Sequence, residues 1–248
     1  MKKRYKGAFS CRKHIGKVRI TQDDQCGALA NSEGDVILVV CDGMGGQNKG
    51  DFASKMAIDS ILQSFADQAK VSKVFLRRWL NRAYQRANSA IFDEASRNPL
   101  YKDMGTTCVC VYIHGDKLYI ANVGDSRAYL LTREGLKMLT EDQTYVEFLY
   151  RTGKITEAEK KTRDDRHMLM NALGVYPSCS VDISVHPYHG EPILLCSDGL
   201  YNNASSAEIR TVLSTDDRVD EKTQALIDLA NANGGSDNIA VVLWESFR

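Results

Sequence analysis

The sequence lacks an excess of charge of either sign, because 32 Lys and Arg residues balance 32 Asp and Glu residues over 248 positions. A balanced chain has no field that gathers phosphate backbones, so general nucleic-acid binding is not expected. The chain also has only 4 prolines, no Pro/Ser-rich linker and no internal repeat. This composition excludes collagen-like and low-complexity proteins, and 43% apolar residues argue against disorder.

Long apolar runs are absent as well. No stretch approaches the roughly 20 apolar residues that a membrane-spanning helix needs. The basic start at residues 1–6 is not followed by the apolar segment of a signal peptide. The sequence therefore predicts a cytoplasmic protein that does not associate with membranes.

The seven cysteines include no Cys-x-x-Cys pair, and their number is odd. Cys108 and Cys110 alternate with valines, which predicts that they share one face of a strand. We expect buried thiols in a reducing compartment rather than disulfides or a zinc site.

Seven apolar runs bounded by Gly, Asp or Asn are typical of strands. They cover residues 35–41, 106–113, 117–123, 127–132, 181–186, 192–196 and 238–244. Short turn-like links predict that the second, third and fourth runs form an antiparallel meander. Helical spacing of apolar residues predicts helices near 53–65, 76–91 and 219–233. This order favours an α+β fold with helices packed outside antiparallel sheets.

Residues 144–175 differ from the rest, being mostly polar with a dense charge cluster at 160–166. They predict a surface insertion, which is either a flap over a site or an ordinary solvated face.

Four aspartates share one local context. Asp42, Asp125, Asp198 and Asp237 each lie at one end of an apolar strand with glycine nearby. Each alone is typical of a turn. Together they indicate a cluster, and because carboxylates repel one another, the cluster needs cations. Oxygen ligands suit Mg²⁺, Mn²⁺ or Ca²⁺ rather than zinc.

The glycines beside Asp42 are part of the same pattern. Gly43, Gly45 and Gly46 allow the backbone to pass close to an ion or a phosphate, and they can present a main-chain carbonyl as a ligand.

Arg19 lies four residues before the adjacent aspartates Asp23 and Asp24. A guanidinium fork suits a phosphate, and the two carboxylates suit metal-bound water. The alternative is a surface arginine next to a turn.

These segments form an ordered series that closely resembles the metal-dependent protein phosphatases of the PP2C (PPM) family. The series is Arg19…Asp23-Asp24, Asp42-Gly43-Met44-Gly45-Gly46, Met104-Gly105-Thr106-Thr107, Gly124-Asp125-Ser126-Arg127-Ala128, Ser197-Asp198-Gly199-Leu200 and Gly235-Ser236-Asp237-Asn238. The resemblance runs from about residue 7 to residue 245, and Met44 resembles the short bacterial branch. It implies one domain over 1–248, built as a β-sandwich of two antiparallel sheets flanked by helix pairs, with 144–175 as a flap.

The resemblance also implies a centre of two Mn²⁺ or Mg²⁺ ions, with a third, weaker site. By position, Asp42 resembles the carboxylate that bridges both metals, and Gly43 resembles the ligand that uses a backbone carbonyl. Asp198 and Asp237 resemble further ligands of one metal. Asp125 matches the residue that binds the third metal together with Asp198.

The implied activity is hydrolysis of phosphoserine and phosphothreonine in proteins by a metal-activated water. In this scheme Arg19 binds the phosphate, while Asp23 and Asp24 hold metal-bound water. No nucleophilic Cys or Ser is required. The implied partners are phosphoproteins and a Ser/Thr kinase system, in a signalling context, and a monomer is expected.

The sequence departs from the family pattern in three segments. Gln22-Asp23-Asp24 stands where Asn-Glu-Asp or Asn-Gln-Asp is usual, and Met44, unlike the usual His of animal members, cannot protonate a leaving group. Gln143 replaces a frequent His. The general acid is therefore unassigned, with His14 as a weak candidate. The alternatives to a general protein phosphatase are an enzyme for a specialised phosphorylated regulator or a small phosphoester, and a non-catalytic pseudo-phosphatase.

Overall fold

The computed structural model describes residues 4–45, 49–67 and 75–247. Gly46 of the predicted glycine-rich loop, residues 1–3 of the basic start and residue 248 lie outside this part. The strands β1 to β11 span Gly7–His14, Asp24–Ala30, Val36–Met44, Gly105–Thr106, Cys108–His114, Lys117–Val123, Arg127–Thr132, Gly135–Met138, Asp182–Pro187, Ile193–Cys196 and Ile239–Ser246. The helices α1 to α7 span Lys49–Ala66, Leu76–Arg97, Tyr145–Arg151, Glu157–Thr162, Asp198–Tyr201, Ser206–Leu213 and Val219–Ala232.

The strands form two antiparallel sheets. One has the order β1-β11-β10-β7-β8, and the other has the order β2-β3-β5-β6-β9 with the short β4 beside β3. One apolar core lies between the sheets, a second joins α1 and α2 to the outer face of the β3 sheet, and a third joins α5, α6 and α7 to the β10–β11 sheet. The predicted sandwich flanked by helices is confirmed.

Strand β3 shows why the central runs are continuously apolar. Val36, Leu38 and Val40 lie in the core between the sheets, while Ile37 and Val39 pack under α1 and α2. Because both faces are covered, neither face needs polar residues. The seven predicted strands and three predicted helices all occur, with ends that differ by a few residues.

The predicted three-stranded meander is wrong. Strands β5 and β6 are antiparallel neighbours, but β7 belongs to the other sheet and pairs with β10 and β8. The link at 124–126 therefore crosses from one sheet to the other. The apolar residues Ala128 and Leu130 of β7 contribute to the core between the sheets from the opposite side. The crossing places Asp125 at one end of the sandwich.

The sequence reading missed β1, β2 and β8, all of which are edge strands. An edge strand is only half covered, so its composition carries a weak apolar signal. The predicted shared face of Cys108 and Cys110 is confirmed, since both side chains lie in the core that joins α1 and α2 to the β3 sheet. All seven thiols are free, and Cys41 and Cys196 are buried as well. In the part of the chain that the structure describes, no helix is both long and apolar enough to cross a membrane.

Candidate active site

The crossing link and several strand ends surround one large cavity of about 1080 Å³. Of the eight predicted site residues, seven line it. These are Arg19, Asp23, Asp42, Gly43, Asp125, Asp198 and Asp237. The eighth, Asp24, is 1% exposed and does not line the cavity. The fold thus gathers residues that lie up to 218 positions apart in sequence.

Asp42 is held through its main chain. Its N–H donates to Oγ1 of Thr107 at 2.9 Å, and its carbonyl accepts from the N–H of Thr107 at 2.8 Å and from Oγ1 of Thr106 at 2.9 Å. The hydroxyls of Thr107 and Ser126 are 2.7 Å apart. This network fixes the end of β3. It gives Thr106 and Thr107 of the Met104-Gly105-Thr106-Thr107 motif a structural role that the sequence does not predict.

Asp24 faces Asp42 in the register of β2 and β3. The hydroxyl of Ser197 donates to Oδ2 of Asp24 at 2.6 Å. The Oδ1 atoms of Asp24 and Asp23 are both buried without a hydrogen-bond partner among the described residues. Buried polar atoms are normally satisfied, so these two oxygens indicate that a donor outside the protein belongs here.

The loop before β2 is fixed by Asn238, a residue for which the sequence predicts no role. Its Oδ1 accepts from the N–H of Asp23 at 2.7 Å, and its Nδ2 donates to the carbonyls of Ile15 and Thr21 at 2.9 and 2.8 Å. In this loop the Arg19 side chain reaches Oδ2 of Asp237 at 2.7 Å.

Gly43 must be a glycine. A Cβ at this position would come within 2.1 Å of the carbonyl oxygen of Gly50 and 2.5 Å of the carbonyl oxygen of Asp23. The close approach of α1 to the end of β3 brings the Gly43 backbone to the cavity wall.

The electrostatics are those of crowded carboxylates. Burial raises the pKa of Asp42 well above its usual range, and the neighbouring charges of Asp24, Asp198 and others raise it further. Burial and Asp125 do the same to the pKa of Asp198. Burial raises the pKa of Asp24 to about 7, and burial followed by the charge of Asp142 raises that of Asp125 to about 6. Such a site holds protons unless cations enter.

Comparison with known proteins places this arrangement in a family. The sequence profile of protein phosphatase 2C matches residues 12–243. The chain belongs to the protein phosphatase 2C family. It is 36% identical to the serine/threonine phosphatase stp of Listeria innocua over 232 residues, which covers 93% of this chain and 92% of that one. The predicted family and fold are confirmed.

Solved structures agree with this membership. The serine/threonine phosphatase Stp1 of Staphylococcus aureus superposes with a TM-score of 0.92 and 30% identity, covering 99% of this chain and 97% of that one. The catalytic domain of the serine/threonine protein phosphatase PstP, whose structure contains 2 manganese ions, gives a TM-score of 0.85 at 31% identity, covering 98% and 99%.

The donors of this family member suit a hard cation. Between residues 4 and 247, apart from the undescribed 46–48 and 68–74, no set of three or more Asp, Glu, His or Cys side chains has the geometry of a metal site. Mg²⁺ and similar ions, however, bind through one or two carboxylates and keep several waters. The carboxylates in the cavity and the unpartnered oxygens of Asp23 and Asp24 fit such a water-rich site.

Gln143, one of the departures from the family pattern, is held by hydrogen bonds of its side chain. Its Oε1 accepts from the N–H of Gly124 at 2.9 Å and from Nδ2 of Asn171 at 2.7 Å, while its Nε2 donates to Oδ2 of Asp182 at 2.7 Å. It therefore ties the turn that carries Asp125 to the segment 144–175.

The histidines are arranged differently from the expectation. His14 does not line the cavity, and its Nδ1 accepts from the N–H of Gly16 at 3.0 Å. The histidine that lines the cavity is His167, whose Nδ1 lies 3.8 Å from Oδ2 of Asp198. It belongs to the segment 144–175, which also places Lys160, Lys161 and Arg166 on the cavity wall. The sequence carried no signal for His167, because it follows directly on the charge cluster at 160–166 and belongs to no recognisable motif.

Proposed function

We propose that the chain hydrolyses phosphoserine and phosphothreonine in proteins, with water as the nucleophile and bound divalent cations as cofactors. The observation that carries this proposal is the convergence of the carboxylates and Arg19 in one cavity. The serine/threonine phosphatase names of the relatives support it. Residues 1–248 act as one catalytic domain, with 144–175 as its flap.

The proposed cation ligands are the carboxylates of Asp42, Asp198 and Asp237 and the carbonyl of Gly43, holding two Mn²⁺ or Mg²⁺ ions. Asp125 and Asp198 hold a third ion more weakly. Cations bound there supply an acidified water and offset the charge that develops on the phosphoryl group. The manganese ions in the PstP structure support this choice.

The remaining roles belong to Arg19, Asp23 and Asp24. The Arg19 fork binds phosphoryl oxygens in a two-pronged contact and neutralises part of their charge. The free Oδ1 atoms of Asp23 and Asp24 accept hydrogen bonds from water at the site. Asp23 has a shorter side chain than the usual Glu, so this contact depends on the backbone position that Asn238 fixes.

A covalent phosphoenzyme is not needed in this scheme. In the described part of the chain, no cysteine lines the cavity. Burial raises the pKa of Cys196 to about 12 and that of Cys41 above its usual range, so neither thiol supplies a thiolate near neutral pH.

The proposed partners are phosphorylated proteins and the Ser/Thr kinase that modifies them, met in the cytoplasm by a monomeric phosphatase. A panel of phosphothreonine peptides, a phosphorylated regulator protein and small phosphate monoesters separates a general protein phosphatase from an enzyme with a specialised substrate.

The direct test is phosphate release from a phosphothreonine peptide, with Mn²⁺ and with EDTA. We expect Mn²⁺-dependent release by the natural chain and none by Asp42→Ala. The matched control Asp59→Ala removes an exposed aspartate on α1, 62% exposed and paired with Lys55, and should keep full activity. Absent release with Mn²⁺, or equal release in EDTA, contradicts the proposal.

A further inference from the structure

Tyr201 lines the cavity, and its side chain contacts both Asp125 and Arg127. Its hydroxyl lies 3.1 Å from the backbone carbonyl oxygen of Asp125 and 3.3 Å from Oδ2 of the same residue. Because a phenol has only one O–H proton to donate, the hydroxyl shares that proton between the two acceptors in a three-centre hydrogen bond. The hydroxyl therefore restrains both the backbone and the carboxylate of Asp125.

The Tyr201 ring is itself held in place. The guanidinium carbon of Arg127 lies 3.5 Å from the ring centroid, a close cation–π contact. Arg127 in turn makes a two-pronged ion pair with Asp142, at 2.9 Å from Nε to Oδ1 and 2.6 Å from Nη2 to Oδ2. The Asp142 side chain is 8% exposed in this pair. Neither Arg127 nor the ring is free to turn away.

Tyr201 also connects two elements of the site. Tyr201 is the last residue of α5, and Asp198 is its first, so one helical turn carries both. Asp125 lies in the link that crosses between the sheets. The contact between Tyr201 and Asp125 therefore sets the position of one carboxylate relative to the other.

We infer that Tyr201 is a positioning residue that holds Asp125 and Asp198 at the spacing required for a divalent cation between them. This inference rests on the proposed function, because it assigns these two aspartates to the weaker cation site. The hydroxyl, rather than the ring, carries the role, since the ring packs against Arg127 while both hydrogen bonds of the hydroxyl among the described residues go to Asp125.

Residues that orient metal ligands without touching the ion typically change metal affinity by about 10- to 100-fold when they are altered. Tyr201→Phe removes the oxygen and keeps the ring on Arg127. The matched control is Tyr129→Phe, because the Tyr129 hydroxyl also lies near Arg127, at 3.3 Å, but makes no hydrogen bond with either aspartate among the described residues.

The experiment is calorimetric titration of the metal-free chain with Mn²⁺. We expect Tyr201→Phe to weaken the low-affinity binding step by about tenfold or more, to leave the tighter steps within twofold, and to keep the unfolding midpoint of the natural chain. Tyr129→Phe should reproduce the natural isotherm. The Mn²⁺ concentration for half-maximal phosphate release should rise in Tyr201→Phe only.

Three results would overturn the inference: an unchanged isotherm for Tyr201→Phe, an equal shift in Tyr129→Phe, or a natural chain without a separable weaker step. Failure of the proposed function has a different signature. In that case the natural chain binds Mn²⁺ and shows the Tyr201 effect in the isotherm, but it releases no phosphate from any substrate.

Discussion

The two ends of strand β3 each carry an aspartate, and the two aspartates have opposite surroundings. Asp35, just before the strand, lies 2.9 Å from Nδ1 of His114 and accepts a hydrogen bond from the Tyr112 hydroxyl at 3.2 Å. Asp42, near the other end, is surrounded by further carboxylates, including Asp24 and Asp198, which raise its pKa after burial has done so.

The difference shows how a structural carboxylate can be told from a proposed catalytic one. A buried acid that is surrounded by donors stabilises the fold, since its desolvation is repaid by hydrogen bonds. A group of buried acids that raise one another's pKa values costs stability until protons or cations are added. The acidic end of β3 is therefore the end that we expect to bind metal.

The largest effect is expected from Asp42→Asn. It keeps the shape of the side chain and removes the proposed bridging charge, so kcat/KM for a phosphothreonine peptide should fall by about 1000-fold or more, equivalent to about 4 kcal/mol of transition-state stabilisation. The unfolding midpoint of the metal-free variant should be equal to or above that of the natural chain. If the variant keeps a tenth of the activity, the proposed bridging role of the Asp42 carboxylate is wrong.

The next effect concerns pH. The pKa values of Asp24 and Asp125 are raised to about 7 and about 6, so the folded metal-free chain binds protons more tightly than the unfolded chain does. Their stabilising contribution to the free energy of unfolding is therefore fully present below about pH 4. It is lost as the pH rises towards 7, by at most about 1.4 kcal/mol per pH unit for each carboxylate.

Urea unfolding in EDTA between pH 4 and pH 7.5 measures this loss. The decline should be smaller in a double variant that carries Asp24→Asn and Asp125→Asn, and Mn²⁺ should reverse it in the natural chain at pH 7.5. Stability that rises steadily across this range, with no difference between the two proteins, would show that these carboxylates are not crowded.

The smallest effect on activity is expected from Asp35→Asn at the opposite end of the strand. It weakens the contacts with His114 and Tyr112, so the free energy of unfolding should fall by about 1–3 kcal/mol. Phosphate release per folded molecule should stay within about twofold. Chemical denaturation and peptide hydrolysis measure the two quantities. A large loss of activity at unchanged stability would contradict the assignment of a structural role to Asp35 and a catalytic role to Asp42.

Much of the fold followed from the sequence, because the central strands and the long helices are covered on at least one full face. Within the predicted runs, residues 36–41 and 193–196 are covered on both faces and are therefore apolar, and the stripes of α1, α2 and α7 follow the helical period. The edge strands β1, β2 and β8 were missed, since half-exposed strands mix polar and apolar residues.

The topology of the link at 124–126 was beyond local reasoning. A short turn between two apolar runs predicts a hairpin, and only the partner strand β10, about 65 residues further along the chain, decides that β7 joins the other sheet. The same limit applies to the site. The aspartates could be identified by their motifs, but the roles of Asn238, Gln143 and Tyr201 depend on contacts between distant segments.

The central claim is that the carboxylates at the Asp42 end of β3 gather divalent cations, and the most direct test counts them. Equilibrium dialysis against Mn²⁺ at pH 7.5 gives the number of ions bound per chain for the natural protein, Asp42→Asn and Asp35→Asn. We predict at least two ions for the natural protein and for Asp35→Asn, and a loss of that binding in Asp42→Asn. Equal numbers in all three proteins, or no bound Mn²⁺ in the natural one, would contradict it.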